Sequence, residues 1–348
     1  MSSIKFGYES PGVDPLTAVE LGVLADKNGL AGFWIPDHFV DLDGERLDPW
    51  TILSAIAVKT KNLKLASAVT DTQRTHPARA AHMIATVDTL SGGRVILGIG
   101  AGEAMNITPY GLPWESTEDR IDRLRESIQV IRLLWGSARD KPVSFSGRFY
   151  NLDQAFLRQS PAQKPSPPVY IGAISSEKML ELVGQIGDGW YGWLNTPKTF
   201  KQKWSIIKNA AQAAGRSASK IGSGTQLMVG FARNSEEKKE ALLNAKVGLM
   251  VEKTVLKSMG LFPTENFNQY QTLLPLKTDG SKLMRLAESI SDDVAYQVAA
   301  IGGVEEFEEK VEALSKAGLK QVVVSELSPP SVPKKTIEAV GKVIKRYS

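Results

Sequence analysis

The 348-residue chain contains no cysteine, which excludes disulfide bonds, thiolate metal sites and a cysteine nucleophile. It also lacks any stretch of the roughly 18–20 apolar residues that a membrane span requires, so we expect no membrane partner. The first ten residues, MSSIKFGYES, contain no basic region followed by a long apolar run. We therefore expect no signal peptide and a cytoplasmic protein.

A large excess of charge of one sign is absent as well. The formal net charge is +4, and the Lys and Arg residues are scattered among acidic ones without a basic block. This pattern is typical of a solvated surface, so we expect no nucleic-acid partner, while anionic small ligands remain compatible with it. With 42% hydrophobic and 23% charged residues, the chain has the composition of a globular protein with ample material for a core.

Several catalytic motifs are missing. The chain has no HExxH motif and no His-rich carboxylate cluster, so we expect no metal site. It has neither a GxSxG elbow nor a GxxxxGK[ST] phosphate loop. Without a nucleophile or a metal, redox chemistry in this chain would need a bound organic cofactor.

Short apolar runs alternate with segments of helical periodicity along the chain. Near-continuous hydrophobic runs predict strands that are buried on both faces of a parallel sheet. The predicted strands are 4–9, 32–38, 63–70, 94–102, 168–174, 189–193, 226–233 and 321–326, and the predicted helices are 15–28, 49–60, 77–90, 117–135, 176–186, 198–214, 303–317 and 334–347. About eight βα units in succession predict an α/β fold of the (β/α)8 TIM-barrel type, with a doubly wound sheet as the alternative.

Two segments interrupt this alternation. Residues 141–152, after the fourth helix, predict a β-hairpin that turns at Ser146-Gly147. Residues 235–300 are longer than one βα crossover needs and predict a helical insertion after strand 7. We treat residues 1–348 as a single barrel domain that carries this insertion.

The candidate site residues lie where the predicted strands end, and these ends form the active-site face of a barrel. They are Asp37 and His38 after strand 2, Thr70, Asp71 and Arg74 after strand 3, Ala101, Gly102, Glu103 and Asn106 after strand 4, Ile174, Ser175 and Ser176 after strand 5, and Trp190, Tyr191 and Trp193 in strand 6. We expect their side chains to converge on one mouth.

Glu103 and His38 are the candidate proton-handling groups. Glu103 ends the glycine-rich stretch GIGAGE, where a partly desolvated carboxylate can act as general acid or base. This stretch is not a dinucleotide fingerprint, because GxGxxG would need glycine at 103 or 105. The structural alternatives are a helix-capping Glu103 and a His38 that bonds the following loop. His76, before a proline, is expected to start a helix, and His82 to lie inside it.

The stretch YIGAISSEK offers a second feature, a helix start that could bind an anion. Backbone N–H groups at this start, with Ser175 and Ser176 as caps, suit a phosphate, although a helix that only caps itself is the alternative. The apolar strand ends at 66–70 and 99–101 could form a floor for a flat ring.

In combination, four stretches resemble the bacterial luciferase-like superfamily, and within it the coenzyme F420-dependent branch. They are WIPDHF, RTHPARAAHMIATVDTLSGGRVILGIGAGEAMN, VSFSGRFYNL and PPVYIGAISSEKMLELVGQIGDGW. The resemblance covers most of residues 4–215 and resumes near GGVEEFEEKVEAL. GAGEAMN is most similar to the F420-dependent secondary alcohol and glucose-6-phosphate dehydrogenases, and KMLELVGQIGDG to methylenetetrahydromethanopterin reductase.

This resemblance implies a (β/α)8 barrel with an insertion after strand 7, a homodimer, and specific roles for residues. His38 would handle the proton of the substrate's hydroxyl or carbonyl group, and Glu103 the proton at the deazaflavin ring. Asp37, Thr70, Ala101, Gly102 and Asn106 would contact the ring, and Ile174, Ser175, Glu177 and Lys178 would surround the phosphate tail.

The chain departs from the branch at the substrate positions. Where the alcohol and sugar-phosphate dehydrogenases have a tryptophan four residues after the histidine, this chain has Leu42. Trp193 and Thr196 stand where the sugar-phosphate enzymes have Thr and Lys, and the reductases typically have aspartate at the position of Glu103. We therefore expect a substrate other than glucose 6-phosphate, larger or more apolar, in contact with Trp190 and Trp193.

The hypothesis from sequence is an F420-dependent oxidoreductase that moves a hydride between deazaflavin C5 and a small organic substrate. The substrate would be an alcohol, a ketone or a methylene-tetrahydropterin. One alternative is an FMN-dependent monooxygenase of the same superfamily. The other is a protein that binds F420 or flavin without catalysis.

Overall fold

A computed structural model describes residues 4–41, 46–250, 252–261, 280–327 and 332–347. Eight parallel strands close into a barrel, with the last strand paired to the first. In barrel order these strands are β1 (Lys5–Glu9), β2 (Gly32–Ile35), β3 (Lys64–Ser67), β5 (Val95–Gly100), β8 (Val169–Gly172), β9 (Gly189–Gly192), β10 (Gly222–Phe231) and β12 (Gln321–Glu326). The predicted (β/α)8 barrel is confirmed, and the doubly wound sheet is excluded.

Eight helices surround the barrel, one after each barrel strand. They are α1 (Pro15–Lys27), α2 (Pro49–Lys59), α3 (Pro77–Leu90), α4 (Thr117–Trp135), α5 (Glu177–Ile186), α6 (Pro197–Ala213), α11 (Val304–Lys316) and α12 (Pro333–Tyr347). Their N-termini are well specified by sequence: Asp14, Asp48 and Thr196 accept backbone N–H bonds immediately before a proline in the first turn. His76 caps α3 in the same way, with Nδ1 accepting from the Ala78 N–H at 3.2 Å, as predicted.

The remaining elements lie outside the regular alternation. The short strand β4 (Thr70–Asp71) pairs with β5, and β11 (Ala299–Gly302) pairs with the end of β10. The hairpin after α4 is confirmed as β6 (Val143–Ser146) and β7 (Asn151–Ala155). Its turn is fixed by the Glu126 carboxylate, which accepts backbone N–H bonds from Arg148 and Phe149 at 2.8 and 2.9 Å.

The predicted helical insertion lies between β10 and β11. Its described helices are α7 (Ser235–Met250), α8 (Lys253–Ser258), α9 (Gly280–Glu288) and α10 (Asp292–Val298). They bury their apolar faces in a second hydrophobic cluster that includes Met105, Leu194 and Met228 from the barrel. The insertion therefore packs over the ends of β9 and β10, and the part of it at 262–279 is outside the described residues.

The side chain of Trp34, from β2, fills the barrel interior below its mouth. It packs in a small hydrophobic cluster that includes Tyr191 from β9, on the opposite side of the barrel. Its ring occupies the space that a Cβ would need at Gly7 and Gly32, at 2.4 and 2.3 Å. The barrel is thus a packed core, and space for a ligand remains only at the carboxyl ends of the strands.

Candidate active site

A cavity of about 900 Å³ opens at the carboxyl ends of the barrel strands, between the mouth and the insertion. The predicted site residues that line it are Asp37, His38, Ala101, Gly102, Glu103, Asn106, Ile174, Ser175 and Trp193. The structure thus brings together the strand ends that were predicted to form one site. Of the described residues, no group of three or more His, Asp or Glu has a metal-binding arrangement.

His38 and Glu103 lie side by side in this cavity. His38 Nε2 is 3.2 Å from Glu103 Oε2, and both side chains are largely buried, with exposed fractions of 16% and 14%. His38 Nδ1 is 3.1 Å from Asp41 Oδ2, and Arg46 Nη2 donates to the same oxygen at 2.8 Å. The imidazole is therefore held between two carboxylates, and one of them, Asp41, belongs to the following loop that the structural alternative named.

The environment perturbs both groups. Burial alone would lower the pKa of His38, but the charge of Glu103 and the hydrogen bond and charge of Asp41 outweigh it and raise the pKa to about 9. Burial raises the pKa of Glu103, and the charge of His38 offsets part of this effect. Two coupled groups with raised pKa values are suited to exchanging a proton near neutral pH.

Asp37 is fixed by Arg74, which follows β4. Arg74 Nη2 donates to Asp37 Oδ1 at 2.9 Å, and its guanidinium also bonds Asp71 and lies 4.6 Å from the centre of the Phe39 ring. Burial raises the pKa of Asp37, with Arg74 acting in the opposite direction. The carboxylate is thus held rigidly at the cavity wall beside His38.

Asn106 ties two loops of the site together. Its Oδ1 accepts the backbone N–H groups of Phe39 and Val40 at 2.7 and 3.0 Å, and its Nδ2 donates to Glu103 at 3.3 Å. The loop that carries His38 is therefore locked to the loop that carries Glu103. Although Asn106 lines the cavity, its amide is already engaged by the protein.

A glycine-lined wall runs along β5 and β8. A Cβ at Gly98 would lie 1.8 Å from the Ser67 carbonyl oxygen, and Cβ atoms at Gly100 and Gly172 would lie 2.7 and 3.1 Å from the Val69 methyl groups. Val69, whose peptide bond to Ala68 is cis, thus packs directly against the two strand ends. The result is a flat apolar surface of Val69, Gly100, Ala101 and Gly172 on one side of the cavity.

The start of α5 has the predicted cap but not all of the predicted contacts. Ser176 caps the helix, with Oγ accepting from the Met179 N–H at 3.4 Å, and Ser175 faces the cavity beside it. Glu177 and Lys178 do not line the cavity: both are exposed on α5, and Lys178 pairs with Glu118 of α4. As the first two residues of the helix, they point away from the barrel mouth.

Thr70 and Trp190 also lie away from the cavity lining. Thr70 is buried and accepts a hydrogen bond from Trp50 Nε1 at 3.1 Å. Its side chain also hydrogen-bonds the Asp37 carboxylate and so helps to hold it in place. Trp190 is fully buried, stacks on Phe200 of α6 and donates to the Ala173 carbonyl at 2.8 Å. The expected substrate contact of Trp190 is not compatible with this placement: side chains alternate along β9, so Tyr191 points inward and Trp190 outward to the helices.

Two acidic residues that end barrel strands and line the cavity were not predicted from sequence. Glu9 ends β1 and accepts bonds from Tyr191 Oη and Gln226 Nε2 at 2.6 and 2.7 Å, and Glu326 ends β12 and accepts from Tyr8 Oη at 2.8 Å. Burial raises the pKa of both carboxyls. Each residue is the polar end of an apolar strand, the same pattern that pointed to His38 and Glu103, so the sequence carried the signal for both.

A profile of the luciferase-like monooxygenase family matches residues 4–321. The chain belongs to this family. Residues 4–321 include the first seven barrel strands, together with His38 and Glu103, and end at the first residue of β12, so the resemblance drawn from sequence is confirmed.

Individual relatives of this luciferase-like protein carry more specific names. A 5,10-methylenetetrahydromethanopterin reductase of Archaeoglobus fulgidus is 29% identical over 323 residues, which cover 92% of each chain. An F420-dependent glucose-6-phosphate dehydrogenase of Amycolatopsis mediterranei is 34% identical over 247 residues, covering 67% of this chain and 71% of the relative.

Two solved structures superpose on this chain over nearly its whole length. The coenzyme F420-dependent tetrahydromethanopterin reductase of Methanopyrus kandleri superposes with a TM-score of 0.83 at 25% identity, covering 99% of this chain and 100% of the other. An F420-dependent secondary alcohol dehydrogenase shares the fold with the same TM-score at 24% identity, and covers 99% of both chains. No described helix of the luciferase-like chain is long and apolar enough to cross a membrane.

Proposed function

We propose that this protein is a coenzyme F420-dependent oxidoreductase that transfers a hydride between C5 of the deazaflavin and a small organic substrate. The observation that carries the proposal is the His38–Glu103 pair, 3.2 Å apart at the mouth of a luciferase-like barrel. Such a pair can move protons, but it supplies no electrons. The relatives named for F420 support a deazaflavin as the hydride carrier.

The residues present fit such a cofactor. The wall of Val69, Gly100, Ala101 and Gly172 offers a flat apolar face for a ring system. The starts of α4 and α5 both reach the cavity, and on α4 the buried Arg120 lines it with an Nε that has no hydrogen-bond partner. An unpaired guanidinium N–H and a helix N-terminus suit the phosphate of a cofactor tail.

In this proposal the cofactor, when bound, supplies two-electron hydride chemistry, and the protein supplies position and protons. Asp37, held by Arg74, would contact the ring together with Ala101 and Gly102, while Ser175 and the start of α5 would hold the tail. His38 would transfer the proton of the substrate oxygen or nitrogen, and Glu103 would hold the proton at the ring. Asn106 keeps the two proton-handling loops in register.

For the substrate we propose an alcohol, a ketone or a methylene-tetrahydropterin rather than a sugar phosphate. Trp193, Met228 and Val247 give the cavity apolar walls under the insertion. The buried carboxylates of Glu9 and Glu252 and the half-buried carboxylate of Glu326 face the same space. Carboxylates repel a phosphate and accept bonds from N–H or O–H groups. Leu42, the other position where this chain departs from the sugar-phosphate enzymes, lies outside the described residues.

A cofactor titration tests the function most directly. We expect the purified protein to bind F420 tightly and FMN weakly, as followed by the fluorescence of each cofactor. Binding of FMN without F420 would instead favour the flavin monooxygenase alternative. Binding of F420 without turnover of any alcohol, ketone or methylene-tetrahydropterin would favour a protein that binds the cofactor without catalysis.

The homodimer expected from the resemblance is also a proposal. Sedimentation equilibrium at micromolar concentration gives the mass directly, and a monomer would contradict it.

A further inference from the structure

Both ring nitrogens of His38 face carboxylate oxygens. Nε2 lies 3.2 Å from Glu103 Oε2, and Nδ1 lies 3.1 Å from Asp41 Oδ2. A neutral imidazole has one N–H donor and one acceptor nitrogen, and an ionised carboxylate can only accept. Two carboxylate oxygens this close to the ring favour the imidazolium form, in which both nitrogens carry a proton, unless one of the two carboxyls is itself protonated.

The two carboxyls are held differently. Arg46 donates to Asp41 Oδ2 through Nε at 3.0 Å and Nη2 at 2.8 Å, an arrangement that stabilises the carboxylate form. Glu103 is buried, and its side-chain partners besides His38 include the neutral Asn106 amide at 3.3 Å. The Nδ1 proton is thus directed at the ionised Asp41, and the Nε2 proton faces Glu103.

The other charged groups around the ring do not reverse this bias. Asp37 from the end of β2 and Glu9 from the end of β1 interact favourably with a charged ring, and Arg46 opposes it. Arg74 acts mainly on its carboxylate partners Asp37 and Asp71. The surroundings of His38 are therefore predominantly acidic.

We propose that Asp41 is a positioning residue that keeps His38 doubly protonated through Nδ1, so that the ring enters the catalytic cycle as a proton donor at Nε2. The catalytic part rests on the proposed function. A substrate carbon that receives hydride from the reduced deazaflavin would form a C–H bond, and either its C=O π bond or, in a methylene-tetrahydropterin, one of its two C–N bonds would break. The Nε2 proton goes to that oxygen or nitrogen, the substrate gains two electrons, the cofactor loses two, and solvent returns the proton to His38.

A direction of reaction follows. Between the Asp41 and Glu103 carboxylates, His38 would hold both protons at neutral pH, which is the state that substrate reduction needs. Oxidation of an alcohol needs a neutral His38 as base, and this form would be the minority there. We therefore expect reduction to be the faster direction at neutral pH.

The test uses the fact that the chain has only three histidines. Protein labelled with ¹⁵N-histidine, without cofactor, is titrated by NMR as wild type and as Asp41→Asn, which keeps the shape and an acceptor oxygen but removes the charge. We expect both His38 nitrogens of the wild type to be protonated at neutral pH, and the midpoint to fall by roughly one unit or more in the variant. His76 and His82, both on or next to α3, serve as internal controls.

Two outcomes would overturn the proposal: a wild-type His38 that carries a single proton at neutral pH, or a midpoint that Asp41→Asn leaves unchanged. If the variant disturbs the His76 or His82 signals, the smaller Asp41→Ser replaces it, with the same expected fall. The wild-type measurement needs no variant at all. Because no cofactor is present, failure of F420 to bind would leave this result standing, and the two proposals fail separately.

Discussion

At the scale of single residues, the proposed function depends on proton transfer by His38 and Glu103. We expect His38→Ala and Glu103→Gln to bind F420 as the wild type does and to lose about 10²–10⁴-fold in kcat, the usual contribution of a positioned acid or base. Fluorescence titration and steady-state rates measure the two effects separately. Near wild-type kcat in either variant would show that its assigned proton transfer is wrong.

Glu177→Gln is the matched control for these variants. Sequence placed Glu177 at the phosphate tail, but the structure leaves it exposed on α5, outside the cavity lining. We expect this variant to keep both the cofactor Kd and kcat. A marked rise in Kd would restore the role implied by the resemblance.

Gly98 is required by close approach of the backbone rather than by ligand binding. The Cβ of an alanine there would lie 1.8 Å from the Ser67 carbonyl oxygen, and backbone cannot move aside as a flexible side chain can. We expect Gly98→Ala to destabilise the protein by more than about 3 kcal/mol, beyond ordinary overpacking, as measured by urea unfolding. In Gly136→Ala the nearest atoms would be 3.7 Å away, so a similar loss in that control would refute the steric explanation.

At the scale of elements, the alternation of side chains along β9 separates two tryptophans. Trp190→Phe removes a bond to the Ala173 carbonyl and leaves a void against α6, so we expect a loss of about 1–3 kcal/mol in unfolding free energy with KM unchanged. Trp193→Phe, at the cavity, should change KM with a smaller effect on stability. Chemical denaturation and substrate kinetics on both variants would reveal a reversed pattern if the assignment were wrong.

The elements themselves were largely predictable. A proline in the first turn follows a capping side chain in α1, α2, α3 and α6, and the first three of these helices begin at their predicted first residue. Strand β10 was harder: it begins at Gly222, four residues before the predicted start, because its polar first half pairs with β9. Pairing of this kind is a tertiary effect that local hydrophobicity does not report.

The site was predictable to the extent that chemistry follows strand ends. His38, Glu103, Asp37 and Ser175 all reach the cavity. The direction in which each side chain points was not predictable, as Trp190 and Lys178 illustrate. A shift of one residue along a strand moves a side chain from the cavity to the helix layer. A bond from His38 to the following loop was one of the alternatives from sequence, but that Asp41 makes it and that Arg46 holds Asp41 depends on the path of the loop.

At the scale of the whole molecule, the barrel mouth concentrates ionisable groups that favour protonation. Burial raises the pKa values of Glu9, Glu103, Glu252 and Glu326, and neighbouring carboxylates raise that of His38 to about 9. A group whose pKa is higher in the folded than in the unfolded state stabilises the fold below its unfolded pKa. This contribution is lost as the pH rises through the folded pKa. The fold should therefore lose stability from weakly acidic to alkaline pH.

His38 makes this trend measurable at a single residue. Its ordinary pKa of 6.5 rises to about 9 in the fold, so its stabilisation is complete below about pH 6.5 and is lost as the pH passes through 9. At about 1.4 kcal/mol per pKa unit, the upper bound is about 3 kcal/mol. Urea unfolding of wild type and His38→Gln across this range measures the difference, and the variant should show the shallower decline. Parallel curves would mean that the charge of His38 is balanced by a compensating shift of Glu103, and that the two carry one shared proton throughout the range.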